Sequence, residues 1–192
     1  KMLIGNIKVQ SLGDPNNFDV DIGPIINKTA HEKLKNYIER SREKGMDVIE
    51  VNHGCSNKYI QPTLININKI SDIKEEQFGP ILHILKYPSD GIDDLIKQIN
   101  DSEYGLTMGI HTRIESRASY LCDKSKIGNI YVNRDMVGAV VGSQPFGGVG
   151  LSGSGFKAGG PNYLIQFLNE KVISKNSVAF GGNTELLNLQ KD

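Results

Sequence analysis

An α/β fold with a largely parallel sheet is the architecture this sequence predicts, and three features carry that expectation. Short apolar runs alternate with segments of helical period, as in chains that pass from strand to parallel strand through a helix. The helical segments are amphipathic, each with one apolar stripe, as helices that cover a sheet must be. The chain has 192 residues, enough to bury a sizeable core as one large domain or two small ones.

The elements follow in order. Residues 1–10 place Met2, Leu3, Ile4, Ile7 and Val9 as the apolar positions of a terminal helix, stopped by Gly13-Asp14-Pro15. Asp21-Ile22-Gly23-Pro24 is a turn. Thr29-Ala30-His31-Glu32 has the pattern of a capping box and opens a surface helix with Ala30, Leu34, Tyr37 and Ile38 on one face, ending near Gly45. Strands are expected over 46–51 and 59–67, with His53-Gly54-Cys55-Ser56-Asn57 as the turn between them. An apolar strand follows over 81–87, then a helix over 90–100 with Ile92, Leu95, Ile96 and Ile99 inward. A strand over 106–112, a helix over 114–124 and a strand over 128–133 come next. Residues 163–168 read as a short helix and Lys171–Ser174 as a last strand. The expected organisation is one unit over 1–175 and a polar tail over 176–192.

Composition excludes several function classes. Twenty-two basic residues balance 22 acidic ones with no block of like charge, which argues against nucleic acid and anionic membrane surfaces as partners. Two cysteines, Cys55 and Cys122, make no disulfide framework, and the four histidines lack metal-ligand spacing. No apolar run reaches the length of a membrane span and no signal-peptide pattern is present, so a cytoplasmic location is expected. The chain opens on Lys1, and the expectation is that it is cut from something longer.

Val137 to Pro161 is the most unusual stretch, with nine glycines among its 25 residues. Val140, Val141, Pro145, Phe146, Leu151 and Phe156 supply apolar anchors that a flexible linker lacks. An ordered loop is expected, whose backbone comes close to something and whose free N–H groups favour an anion. Gly148, Gly150 and Gly153 form a literal G-x-G-x-x-G, but no strand leads into it and Ser154–Pro161 cannot open a helix, so it is no dinucleotide fingerprint. Ser152, Ser154 and Lys157 have no base nearby to activate a nucleophile.

Gln144-Pro145-Phe146-Gly147-Gly148, Gly150-Leu151-Ser152-Gly153 and Lys157-Ala158-Gly159-Gly160-Pro161 together resemble the aldehyde dehydrogenase superfamily. With Gly138-Ala139-Val140-Val141-Gly142 before them, they resemble more narrowly the glutamate-semialdehyde (Δ1-pyrroline-5-carboxylate) dehydrogenase module of the bifunctional proline utilization A enzymes of proline catabolism. The resemblance runs from about Gly13 to the end of the chain. It implies a three-layer αβα fold of the aldehyde dehydrogenase catalytic-domain type, here incomplete, and NAD as cofactor. FAD is implied only if an upstream proline dehydrogenase domain exists.

Residue by residue, the resemblance puts Glu76 of Glu76-Gln77-Phe78-Gly79-Pro80 on the nicotinamide ribose hydroxyls and Phe78 beside the nicotinamide ring. A carboxylate suits a vicinal diol because its two oxygens accept from two hydroxyls at once. The backbone N–H groups of Gly138 and Ala139 would receive the substrate's α-carboxylate, and Phe146 would close over its aliphatic part. Read from the residues alone, the motif is weak and favours Glu76 as a solvated charge and Phe78 as a core aromatic, and Phe146 can be a buried loop anchor as well. Asn133 resembles an asparagine bracing the active-site loops. The family's chemistry needs a cysteine thiolate to add to the aldehyde, then hydride transfer to NAD and hydrolysis of the thioester. Neither Cys55 nor Cys122 has that context. The nucleophile, the general-base glutamate and the Rossmann domain are expected upstream of Lys1, and the 192-residue piece alone is expected to be inactive. The strand over 171–174 resembles a segment used in subunit contacts, so a homodimer is expected. The rival readings are a dehydrogenase for another aldehyde and a non-catalytic assembly module with the same fold.

Overall fold

The computed structural model describes residues 1–54, 58–176 and 178–181, and the chain divides into two compact units. The first contains Lys1–Val137 and Gly147–Gly155; the second contains Gly138–Phe146 and the chain from Phe156 onward. Cys55 and the tail residues 177 and 182–192 lie outside the described residues.

In the first unit the central strand is β2 (Thr63–Ile67), paired antiparallel with β1 (Asp47–Glu50) and parallel with β3 (Ile81–Leu85). Leu64 and Ile65 are 1% and 0% exposed, so this strand is covered on both faces, as its nearly unbroken apolar run requires. Helix α1 (Met2–Val9) covers one face, where Ile7 packs with Val51 and Leu64 and with Ile4, Ile49 and Ile84. Helix α2 (Lys28–Glu43) covers the other, where Leu34, Ile38 and Ile60 pack with Ile25, Val48 and Ile81. Successive side chains of a strand point to opposite faces, which is why Val48 and Ile49 meet different helices.

A second module of the same unit is a βαβ crossover. Strand β5 (Thr107–Ile110) pairs parallel with β6 (Asn129–Val132) across α4 (Glu115–Lys124). Helix α3 (Ile92–Asp101) precedes it and meets α4 through a hydrogen bond from the Tyr120 hydroxyl to Asp93. Two-residue strands β4 (Tyr104–Gly105) and β7 (Val149–Gly150) pair antiparallel. The second unit is built on the bridges Val140–Gln144 and Phe146–Ala158 and a 3₁₀ turn over Leu164–Phe167.

Three expectations are corrected. The largely parallel sheet is instead three small sheets with two parallel and two antiparallel pairings among the described residues. Side-chain alternation reports which face a residue takes, not strand direction, and the β1–β2 connection simply reverses the chain. Lys171–Ser174 is no strand, because no partner ladder forms there among the described residues and Val172 is 82% exposed. The cap of α2 is Asn27, whose side chain accepts from Ala30 N at 2.8 Å, not Thr29, which lies inside the helix.

Asn27→Ala is therefore expected to cost about 1 kcal/mol, and Thr29→Ala to stay within about 0.5 kcal/mol. Urea-unfolding midpoints of the two variants check this.

Candidate functional site

The segment between β2 and β3 carries Glu76 and Phe78. Its exit is held by Thr63 N donating to Pro80 O at 2.9 Å, and two tight turns follow one another, Gly79 N to Gln77 O at 2.9 Å and Ile81 N to Gly79 O at 2.7 Å. Glu76 is exposed and forms no ion pair among the described residues. Its neighbour Glu75 takes Lys33 instead, at 2.9 Å, and that ammonium holds the Glu75 carboxyl below its ordinary range. Phe78 is 81% exposed, so it is no core aromatic; its ring is available to a planar ligand.

The glycine stretch divides between the units, and its glycines serve two different ends. Within the second unit, Val140 and Gln144 exchange both backbone hydrogen bonds around Val141-Gly142-Ser143, and Gly142 N donates to Gly159 O at 2.9 Å. Phe146 exchanges both backbone bonds with Ala158, at 3.1 and 2.8 Å, and its ring is half-buried, so it anchors the loop. Gly138 and Ala139 precede this hairpin and are exposed. Neither backbone N–H has a hydrogen-bond partner among the described residues. Gly138 has φ 97° and nothing within 4 Å of where a Cβ would sit, so conformation and not crowding calls for glycine there.

In the first unit, Gly147–Gly155 is a clip in which backbone packs on backbone. A Cβ at Gly150 would lie 2.4 Å from Glu103 O, and one at Gly148 would lie 2.5 Å from Ser152 O. Leu151 N donates to Glu103 O at 2.9 Å, Gly155 N to Gly148 O at 2.9 Å, and Gly105 N to Ser152 Oγ at 3.1 Å. What the backbone approaches here is the protein's own chain, so these N–H groups are spent internally and do not await an anion. Ser152 Oγ is an acceptor in that clip.

Asn133 has φ 54°, a left-handed conformation that asparagine tolerates. Its amide exchanges two 2.9 Å hydrogen bonds with the Thr112 backbone, and Asn133 N donates to Ile110 O at 2.8 Å. The side chain thus adds one rung to the β5–β6 ladder. Cys122 is a half-buried free thiol on α4. Among the described residues no cluster of His, Cys, Asp and Glu is arranged to hold a metal, and no helix is long and apolar enough to cross a membrane.

Sequence reading missed one pair. The Tyr37 hydroxyl and His83 Nε2 lie 2.7 Å apart, with the rings edge-on at 80°. Burial lowers the His83 pKa from its ordinary value, and burial, with the charges of Asp72 and Glu75, raises that of Tyr37 against a lowering hydrogen bond with Ser41. Tyr37 was legible only as a face residue of α2, because its partner is 46 residues away.

These features, the Glu-x-Phe-Gly-Pro turn before β3 and the glycine stretch after β6, stand in a chain whose residues 1–173 match the model of the aldehyde dehydrogenase family, and the chain belongs to that family. It is 43% identical over 190 residues to the bifunctional protein PutA of Klebsiella aerogenes, covering 93% of this chain and 14% of that protein. Its fold matches a crystal structure of a variant of Bradyrhizobium japonicum proline utilization A with a TM-score of 0.83 at 37% identity, covering 94% of this chain and 18% of the other. It also matches the 1-pyrroline-5-carboxylate dehydrogenase from Thermus with bound NAD, with a TM-score of 0.76 at 30% identity, covering 87% and 32%. The chain thus spans about a seventh of the length of the bifunctional relative.

The two kinds of glycine separate by substitution. Gly150→Ala is expected to cost about 2–5 kcal/mol, overpacking added to left-handed strain. Gly138→Ala is expected to cost about 1–2 kcal/mol, the strain alone. Urea unfolding of both variants tests the order.

Proposed function

We propose that this chain is part of an NAD-dependent dehydrogenase that oxidises L-glutamate γ-semialdehyde to glutamate in proline catabolism, acting in the cytoplasm. The observation that carries the substrate reading is the pair of unpartnered, exposed backbone donors at Gly138 and Ala139. Two adjacent N–H groups with no internal partner suit a carboxylate, and a residue without bulk at 139 leaves room for it. Charge-assisted hydrogen bonds of this kind are about twice as strong as neutral ones.

NAD, when bound, supplies the hydride acceptor. The residues present fit its ribose and nicotinamide ends. Glu76 offers an exposed carboxylate not committed to an ion pair among the described residues, and Phe78 offers an exposed ring. In this reading Glu76 accepts from the ribose hydroxyls, Phe78 lies along the nicotinamide, Gly138 and Ala139 orient the substrate's α-carboxylate, and Phe146 shields its aliphatic part. The nucleophilic cysteine, the general base and the dinucleotide-binding domain belong to other segments of the protein, and together with them this chain completes the three-layer catalytic domain. The chain by itself is inactive. Exposed Val172 and Ile173 support the further reading that residues 171–174 take a strand partner from a second copy. FAD enters only through a proline dehydrogenase domain.

The natural-length protein should reduce NAD with glutamate semialdehyde at a kcat/KM about 100-fold or more above that for a neutral aldehyde of equal length, the worth of two hydrogen bonds to a charged group. Equal values for the two aldehydes would remove the carboxylate anchor. Absence of NAD reduction would favour a non-catalytic assembly role. Light scattering should report a dimer, and a strict monomer would count against the 171–174 contact.

A further inference from the structure

Glu76 and Phe78 point into solvent, with no side-chain hydrogen bond or ion pair among the described residues to aim them. Whatever sets their direction must act through the backbone between β2 and β3. Three residues of α2 reach that segment or the strand it enters: Lys33 and Tyr37, at i and i+4, share one face of the helix, and Leu34 lies on the buried side next to it. Their partners are Glu75, Gly79 and His83, each four residues beyond the last. Lys33 Nζ meets Glu75 Oε2 at 2.9 Å. Leu34 presses on Gly79 so closely that a Cβ there would stand 2.5 Å from its Cδ1. The Tyr37 hydroxyl meets His83 Nε2 at 2.7 Å. One contact thus falls just before the pair of residues to be aimed and two fall after it.

We propose that α2 is a positioning element: Lys33, Leu34 and Tyr37 clamp Glu75–His83 at three points and thereby aim Glu76 and Phe78 at the cofactor. The proposal rests on the reading of those two residues as cofactor contacts. Leu34 is also a core residue, 3% exposed, so its loss unfolds as well as misaligns. Lys33 and Tyr37 lie at the rim and are the informative positions.

The third point of the clamp is sensitive to acid. His83 is half-buried, faces Tyr37 from α2, and its burial favours the neutral ring. The charged groups around the clamp are Lys33 and Arg40 on α2 and Asp72 and Glu75 on the facing segment. Because the folded-state pKa of His83 is depressed, the stability it contributes is fully present above the ordinary imidazole value of about 6.5 and is lost as pH falls through the lower folded value. Acid therefore loosens the segment at His83 while leaving the Gly138–Ala139 backbone donors, which do not titrate, unchanged.

The test uses the natural-length protein and the variants Tyr37→Phe and Lys33→Met. Each variant should raise KM for NAD about 3- to 10-fold, the scale of one net hydrogen bond, with KM for the aldehyde unchanged. In the unaltered protein KM for NAD should rise below about pH 6.5, and Tyr37→Phe should flatten that rise. Equal rises in both Michaelis constants, or an unmoved KM for NAD, would overturn the proposal. Amide exchange gives a second readout that needs no catalysis. Gly79 and Ile81 should exchange about 2- to 10-fold faster in each variant, while Leu64 and Ile65 keep their protection. Unchanged exchange at Gly79 and Ile81 would overturn the clamp outright. A protein that never reduces NAD yet shows the local exchange change would sink the cofactor reading and leave the clamp standing.

Discussion

The first unit depends on the burial of one strand. Thr63, Leu64 and Ile65 of β2 are closed off on both faces, by α1 on one side and α2 on the other. That placement commits the chain on each side of it. Thr63 N donates to Pro80 O, so the entry to β3 is fixed by the centre of the sheet and not by the loop that precedes it. The residues just upstream, Glu76 to Gly79, then emerge from the edge of a rigid sheet with only two tight turns of freedom. Side chains reaching solvent from such an exit are displayed by the scaffold, and catalytic positioning needs this precision.

The glycine stretch solves a different problem with the same residue. At Gly148 and Gly150 the requirement is space: Ser152 O and Glu103 O stand where a Cβ would be. At Gly138 it is conformation, since space is open but φ is 97°. Gly138 leaves its N–H unspent among the described residues. A motif scan treats all of them alike, and this is why the literal G-x-G-x-x-G means nothing here. Its glycines exist to let the chain touch itself between residues 148 and 155 and against Glu103–Gly105.

What could be read in the sequence follows from the range of the interaction that encodes it. Amphipathic period and local turn chemistry are short-range, and α2, α3, α4 and the β5–α4–β6 crossover were all legible from them. The Glu76–Pro80 turn was legible as a motif. Strand direction was not, because Val48 and Ile49 alternate identically in either sense, and β1 turned out antiparallel. The cap of α2 was misread because Asn27 and Thr29 are both good caps two residues apart, and only the backbone of Ala30 decides between them. Lys171–Ser174 has strand composition, but a strand needs a ladder as well as a composition. The Glu103–Leu151 bond and the Tyr37–His83 pair join residues 48 and 46 positions apart through groups with no sequence signature of their own.

The 22 basic and 22 acidic residues balance, so this chain contributes no net charge with which to gather an anion. In the proposed reading this chain recognises a carboxylate locally, through a pair of backbone donors. An arginine or lysine would hold the same carboxylate, but each brings rotamer entropy to be lost on binding, and a charge that attracts any anion. Backbone N–H groups at Gly138 and Ala139 have fixed direction and no rotamers. Their cost is the conformational entropy that Gly138 gives up when the chain folds. In that reading the carboxylate is selected by direction more than by charge. That selectivity should survive changes of salt and pH that would blunt a lysine.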